Sequence, residues 1–344
     1  MRIVVTGATG NVGTSLLEAL TAEPVVDSIV GLCRRPPRTW LPKTRFVAAD
    51  VASAGLESLF RGADAVVHLA WLIQPSREPD ILHRTNVIGS RRVFEAAANA
   101  GVSKLVYASS VGVYSPGPKD TPVDENWPTD GIETSIYSRH KAEVEHALDD
   151  LERSVDGRMR IVRLRKALVF KREAAEEIRR YFVGPLIPRP IFRQSWIPLV
   201  PDTRSLRFQA VHSHDAALAY RLALTRDVEG AFNIAADPVL DGRSLGEILR
   251  ARPVPVPAPW MRAAVSASWR LRLQPTEPGW VDLAFSTPVL DTTRARAELG
   301  WCPRHGADAA LLDLLAGLRD GAGAATPPLQ PGRVRPFATI EASR

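Results

Sequence analysis

Cysteine is almost absent from this chain: Cys33 and Cys302 are the only two in 344 residues. A pair so far apart, with no metal-like grouping around either member, excludes a disulfide framework and a zinc-type site. Both thiols read as reduced, partly buried small side chains. Lysine is also scarce. Six lysines (Lys43, Lys104, Lys119, Lys141, Lys166 and Lys171) stand among 44 basic residues, and the rest are arginine. No apolar run approaches the roughly 18–20 residues that cross a bilayer, so stable membrane insertion is not expected. The apolar stretch before Thr6 is far too short for a secretory core segment, and a cytoplasmic location is the expectation. Nor is there a block of like charge. The net charge of +6 is scattered, which argues against a nucleic-acid partner and suits a small anionic ligand.

What is present is ordinary for a soluble protein of about two domains, with 45% hydrophobic and 24% charged residues. Apolar strands at 2–5, 28–33, 45–48, 65–69 and 105–108 alternate with helical segments at 11–22, 53–61 and 80–100. Near-continuous apolar strands in regular β-α alternation predict an α/β fold. The expected form is a Rossmann-type doubly wound parallel sheet with a smaller, interleaved C-terminal substrate-binding domain. Further along, the pattern predicts a loop at 116–130, a helix at 134–152 and a strand at 160–170. Helices at 172–183 and 211–224 and a strand at 231–235 follow. A stiff proline-rich segment at 252–259 leads into a helix at 259–272, and helical segments at 292–299 and 307–318 finish the folded part. The expected division is a dinucleotide-binding domain over 1–170, with 208–236 returning to it, and a substrate-binding domain over 171–207 and 237–320. Residues 321–344 are expected to be a flexible tail.

Gly7, Gly10 and Gly13 lie between the first strand and the first helix. A tight turn, close approach of a pyrophosphate to backbone, and close helix–strand packing each need a residue without Cβ. The helix N-terminus then offers free N–H groups to phosphates. The second strand ends in Cys33-Arg34-Arg35, without the acid that accepts from a ribose 2′-hydroxyl. Arg34 and Arg35 can instead pair with a 2′-phosphate, so NADP is the expected cofactor and NAD the alternative. Asp50 ends the third strand, where it can meet the adenine edge or cap the helix at 53–61.

Tyr137 and Lys141 stand four apart on a predicted helix and so share a face. An ammonium near a phenol favours the phenolate, and such a phenol can carry a hydroxyl proton while a nicotinamide carries hydride. Ser109 and Ser110 close the fifth strand, at the sheet edge where ligands sit. A hydroxyl there can hold a substrate oxygen or simply cap the following turn.

The landmarks Thr6-Gly7-Ala8-Thr9-Gly10-Asn11-Val12-Gly13, His68-Leu69-Ala70, Thr85-Asn86-Val87-Ile88-Gly89, Ser109-Ser110-Val111-Gly112-Val113-Tyr114 and Tyr137-Ser138-Arg139-His140-Lys141 carry a resemblance over roughly residues 1–320. The chain resembles the extended short-chain dehydrogenase/reductases of the NAD-dependent epimerase/dehydratase family. The resemblance implies that Ser110 orients substrate, that Tyr137 is the acid/base, and that Lys141 holds the nicotinamide ribose and tunes Tyr137. It implies that Asn86 supports the active-site helix or a proton relay. Thr9, Asn11, Val12, Val51, Leu69 and Ala70 become cofactor neighbours, and Asp215 becomes a structural anchor between domains. Two lysines depart from the family pattern, Lys166 where proline is usual and Lys171 where glycine is usual, and a different pocket floor follows. Trp71 replaces a small residue and either narrows the pocket or serves as a core aromatic. His140 reads as a surface or cofactor-edge side chain, and His212 and His214 do not form a metal site.

Substrate recognition is expected from 184–206, 237–300 and the loop 116–130. There Trp196, Trp260, Trp269 and Trp280 either stack on a ligand or fill a small core, and Arg193, Arg204, Arg207, Arg262 and Arg270 could clamp a diphosphate. The helix at 259–272 reads as a lid, with a membrane-surface role as the other reading. The expected function is hydride transfer with a secondary alcohol or ketone, for which a nucleotide sugar is one candidate substrate. The alternatives are an NADP-dependent ketone reductase resembling hydroxysteroid dehydrogenases and a non-catalytic NAD(P)-sensing regulator. The partner is a small-molecule substrate, and a homodimer is left open.

Overall fold

A computed structural model of the chain describes residues 1–184, 186–193 and 196–331. Its strands are β1 (Arg2–Thr6), β2 (Ser28–Cys33), β3 (Thr44–Ala48), β4 (Ala65–His68), β5 (Lys104–Tyr107), β6 (Arg160–Lys166), β7 (Leu168–Phe170), β8 (Leu199–Asp202), β9 (Phe208–His212), β10 (Gly230–Ile234), β11 (Ala236–Leu240) and β12 (Arg252–Pro255). Seven of them form the central sheet in the order β10-β6-β5-β4-β1-β2-β3, with every neighbouring pair parallel. The chain moves outward from β1 to β3 and then restarts at β4 on the other side of β1. That reversal opens a crevice at the C-terminal ends of β1 and β4, the place where doubly wound sheets bind ligands.

The apolar strands alternate between two cores, because successive side chains point to opposite faces. Ile3, Val5, Val67 and Val106 pack on one face against Leu16, Leu17, Ala216 and Tyr220. Val4, Val66, Leu105 and Ile161 pack on the other against Val93, Phe94, Val144 and Leu148. Both faces are covered, so the strands read as unbroken hydrophobic runs.

Several boundaries differ from the sequence expectation. The helix at 80–100 is three joined pieces, Pro79–His83, a π-helical turn Arg84–Ile88, and Gly89–Asn99. The strand at 160–170 divides after Lys166, and β7 leaves the main sheet to pair with β9, which also pairs with β11. The helix expected from 211 starts at Ser213, because residues 208–212 are β9. Helix Gly279–Ser286 had no sequence signal strong enough to place it. Short strands that pair only with one another carry too few residues to show a period.

One helix fixes the centre. Helix Ile136–Val155 starts at Ser135, whose hydroxyl accepts from the Ser138 N–H. Ser138 Oγ in turn donates to the Gly112 carbonyl and accepts from Ile132 N at 2.6 Å, tying the helix start to the segment after β5. Further along, Glu145 meets Arg165 on β6: Nε–Oε1 is 3.0 Å and Nη2–Oε2 is 2.6 Å. Both side chains are buried, and Ser109 Oγ also donates to Glu145. Burial works to raise the Glu145 carboxyl, but Arg165, Ser109 and Arg163 hold it below its ordinary value.

Lys166, by contrast, has no acid partner among the described residues. It lies buried at the end of β6 and donates to the Ser109 carbonyl and the Tyr220 hydroxyl, each at 2.8 Å. Burial pushes its amine down to about 7. From there up to the ordinary value of 10.5, the unfolded chain holds the extra proton, so this group makes stability rise with pH. Lys166→Met should therefore remove a slope of up to about 1.4 kcal/mol per pH unit. Urea denaturation of both proteins at several pH values in that window checks the difference; parallel curves would refute it.

Candidate active site

The turn after β1 is shaped by what a side chain would strike. Gly7 has φ +68°, and a Cβ there would lie 2.7 Å from Ala70 N. The turn is thus pressed against the chain leaving β4. A Cβ on Gly13 would lie 2.4 Å from the Gly7 carbonyl oxygen, so the helix can pack close to the turn only with glycine there. Gly10 differs: a Cβ would meet nothing nearer than 3.6 Å. The space is open, and no side chain caps the first N–H groups of helix Asn11–Thr21, which leaves them for an anion.

The crevice beside this turn has a volume of about 270 Å³ and is bordered by Gly7, Thr9, Gly10, Arg34, Arg35, Asp50, Val51, Leu69 and Ala70. Asp50 borders it while its Oδ1 accepts from Ala52 N at 2.9 Å; it closes a turn there and does not cap the helix, which starts at Leu56 after Gly55. Asn11, Val12 and Gly13 are not on its wall. Asn11 Nδ2 donates to the Val169 carbonyl at 2.9 Å, Val12 packs on the core, and Gly13 backs the turn.

The opposite wall was not foreseen. It comes from Glu177, Arg180 and Tyr181, and from Pro327 and Pro328. Burial raises the Glu177 carboxyl to about 7, and burial also raises the Tyr181 phenol, against a pull from Arg34 across the crevice. The first part of the expected tail, 321–331, is a strap over the glycine turn. Thr326 Oγ1 donates to the Thr9 carbonyl at 2.8 Å, Leu329 is fully buried, and Arg180 donates to the carbonyls of Pro328 and Gln330. Glycine and proline composition signals an absence of helix and strand, not an absence of packing. Residues 332–344 of the expected tail lie outside the described residues.

At the end of β5, Ser110 caps a short turn by accepting from Gly112 N at 3.1 Å. Tyr137 packs on Gly112, where a Cβ would lie 3.0 Å from the phenol ring, two residues past Ser110. Lys141 lies deeper and donates to the Ala108 carbonyl at 2.7 Å and the Tyr107 hydroxyl at 3.2 Å. The helix therefore brings Ser110, Tyr137 and Lys141 to one place. The electrostatics differ from the expectation that the ammonium lowers the phenol. Burial raises Tyr137 to about 12, opposed only by the Ser110 side chain. Burial, then Lys166, pushes Lys141 well below its ordinary value, with Glu145 opposing. In this closed arrangement desolvation outweighs pairwise charge.

Trp71 accounts for the closure. Its ring covers the Lys141 amine, 3.5 Å from the centroid, and its edge meets Tyr137 with centroids 5.9 Å apart. Trp280 lies on Tyr137 from another side at 4.8 Å, and Phe182 meets Trp280 at 4.9 Å. Trp71 also borders the crevice, so it stands between the glycine turn and the phenol.

Asn86 lies in the π-helical turn. It grips the backbone of Leu72 in both directions, accepting from N at 2.7 Å and donating to O at 2.8 Å. It thereby fixes the segment that carries Trp71. His140 is buried, not on the surface as expected. Its ring meets His83 at 5.4 Å, and burial, His83 and Arg139 lower it to about 4. Asp215 is buried and accepts from the backbone and ring of His305 at 2.9 and 2.8 Å. Lys171 donates to Thr14 and Ser15 at 2.6 and 3.0 Å, fastening the helix behind the glycine turn.

Residues 3–235 match the family model described as "NAD dependent epimerase/dehydratase family". The chain belongs to this family. Over 322 residues it is 28% identical to an uncharacterized protein of Mycobacterium tuberculosis, Rv2047c, covering 93% of this chain and 30% of the relative. The chain thus spans about a third of the length of the first curated relatives it matches. Among solved structures, MoeE5 in complex with UDP-glucuronic acid and NAD is similar with a TM-score of 0.68 and 19% identity, covering 93% of this chain and 99% of that one. A Thermus thermophilus UDP-glucose 4-epimerase complexed with NAD reaches 0.66 with 23% identity, covering 93% and 99%. These share the overall fold of this family member.

The strap is held by one fully buried leucine. Leu329→Ala is expected to free it, and limited proteolysis within 321–331 should accelerate by about tenfold or more while global unfolding changes little. Equal cleavage rates for variant and wild type would mean that the leucine does not anchor it.

Proposed function

We propose that this chain is an NAD(P)-dependent oxidoreductase or epimerase that exchanges hydride with a secondary alcohol or its ketone. The observation that carries this is that Tyr137 packs on Gly112, just past Ser110, while Trp71 touches Tyr137, covers the Lys141 amine and borders the glycine-turn crevice. The open space at Gly10 and the uncapped helix N–H groups fit the phosphates of a dinucleotide. When bound, the nicotinamide donates or accepts the hydride.

The protein's own residues do the rest. Ser110 orients the substrate oxygen, and Tyr137 gives it a proton or takes one away. Burial keeps Tyr137 protonated at neutral pH, so it is set to donate to the oxygen of a ketone being reduced. The opposite direction requires the phenol to lose its proton first. Lys141 holds the nicotinamide ribose once the Trp71 ring moves off its amine. Asn86 is a positioning residue acting through the Leu72 backbone. Arg34 and Arg35, with no acid at the end of β2, favour the 2′-phosphate of NADP. The setting is a reducing one, in keeping with the free thiols of Cys33 and Cys302.

A nucleotide sugar is one supported substrate class, since MoeE5 is seen in complex with UDP-glucuronic acid and the Thermus enzyme is a UDP-glucose 4-epimerase. A specific observation favours a less polar ketone as the second reading. Of the arginines expected to clamp a diphosphate, Arg262 is paired with Asp282 and Arg193 lies over Trp196.

Tyr137→Phe should keep cofactor binding and lower turnover by at least about 100-fold. In the wild type, kcat/KM for alcohol oxidation should climb with pH through the alkaline range while ketone reduction stays flat near neutrality. Steady-state assays in both directions test this, and a variant that still turns over removes Tyr137 from the chemistry. Cofactor binding without turnover of any alcohol or ketone would instead favour a sensor. Arg34→Ala should weaken NADP by about tenfold and leave NAD nearly unchanged. Calorimetric titration of both cofactors decides it, and equal losses would place Arg34 away from the 2′-position.

A further inference from the structure

Two stretches of the chain contain no acid at all. Between Glu177 and Asp202 the charged residues are four arginines, and between Glu247 and Glu277 they are five. The fold lays these stretches side by side. β8 and β12 pair in parallel, with Leu199 opposite Arg252. Thr276 Oγ1 donates to the Phe182 carbonyl at 2.8 Å, and Gln74 Nε2 bridges the carbonyls of Tyr181 and Pro275. The result is one continuous face.

That face exposes large apolar side chains: Leu186 (65%), Trp196 (55%), Leu199 (56%), Trp260 (75%), Leu271 (70%) and Leu273 (49%). Helix Ala258–Arg270 has no buried residue, although it carries two tryptophans, a methionine and a valine. Around these side chains Arg250, Arg252, Arg270 and Arg272 are exposed and form no ion pair among the described residues. Apolar residues concentrated in this way mark an interaction surface.

We infer that this face docks peripherally on a lipid bilayer bearing anionic headgroups. Tryptophan and leucine side chains seat at the headgroup–acyl boundary while interspersed arginines meet the negative surface. A second copy of the chain is a poor occupant, because the exposed unpaired charges Arg250, Arg252, Arg270 and Arg272 would repel their counterparts when two such faces are brought together. Insertion is not involved, since no helix among the described residues is long and apolar enough to cross a membrane. The inference stands on surface chemistry and does not depend on the reaction proposed above.

The test is flotation of the full chain with vesicles of phosphatidylcholine alone and with about 30% phosphatidylglycerol added. Binding is expected only to the anionic vesicles, with release as salt is raised. The double variants Trp260→Ser/Leu271→Ser and Arg270→Gln/Arg272→Gln should each lower the bound fraction by about tenfold or more. Should the first variant melt early, the arginine pair decides, because those side chains are exposed and unpaired. Absence of vesicle binding overturns the inference, as does binding that both variants leave unchanged. So does a concentration-dependent dimer that the same variants abolish in a protein indifferent to vesicles, which would identify a protein interface.

Discussion

The buried pair of Glu145 and Arg165 is the constraint on which the candidate site hangs. Tyr137, Lys141 and Glu145 follow one another at four-residue steps along one helix face. Glu145 is clamped to β6 through Arg165 and to the end of β5 through Ser109. Arg165 reaches further, to the Tyr114 hydroxyl at 3.1 Å and the Glu125 carbonyl at 2.8 Å. A helix free to roll would carry the phenol and amine away from Ser110. Removing either partner of such a pair leaves an uncompensated buried charge, worth about 3–5 kcal/mol. The pair thus fixes the rotation of the helix as well as its attachment.

Around this anchor, burial sets the electrostatics more than charge pairing does. Lys141 and Lys166 both lie in apolar surroundings, and both are lowered chiefly by desolvation. Trp71 completes the dry environment by lying over Lys141. Its position is set from a distance, because Asn86 grips the adjacent backbone from within a π-helical turn. Such turns recur at functional sites because they re-aim a side chain that a regular helix would point elsewhere.

Much of this was legible in the sequence. The glycine spacing after an apolar strand located the crevice. The order of glycine turn, serines and Tyr-Lys pair brought together residues that the fold does bring together. Those signals are local: a turn, a strand end and one helix face. What escaped was long-range. Nothing near Trp71 in sequence says that its ring will cover an amine seventy residues on. Nothing near Glu177 or Pro328 says that they form a wall opposite Arg34. β9 and β11 hid inside stretches too short for periodicity, and His140 looked exposed because its partner, His83, comes from a distant helix. The expected lowering of Tyr137 by Lys141 missed because burial cannot be read from spacing.

The strap has a consequence for how the protein is made. Thr326 bonds to Thr9 across 317 residues of chain. The turn at the first strand can take shape early, but its cover arrives only when nearly all of the chain described here has left the ribosome. Until residues 326–329 emerge, the glycine turn stands without the Thr326 bond and the buried Leu329 that cover it.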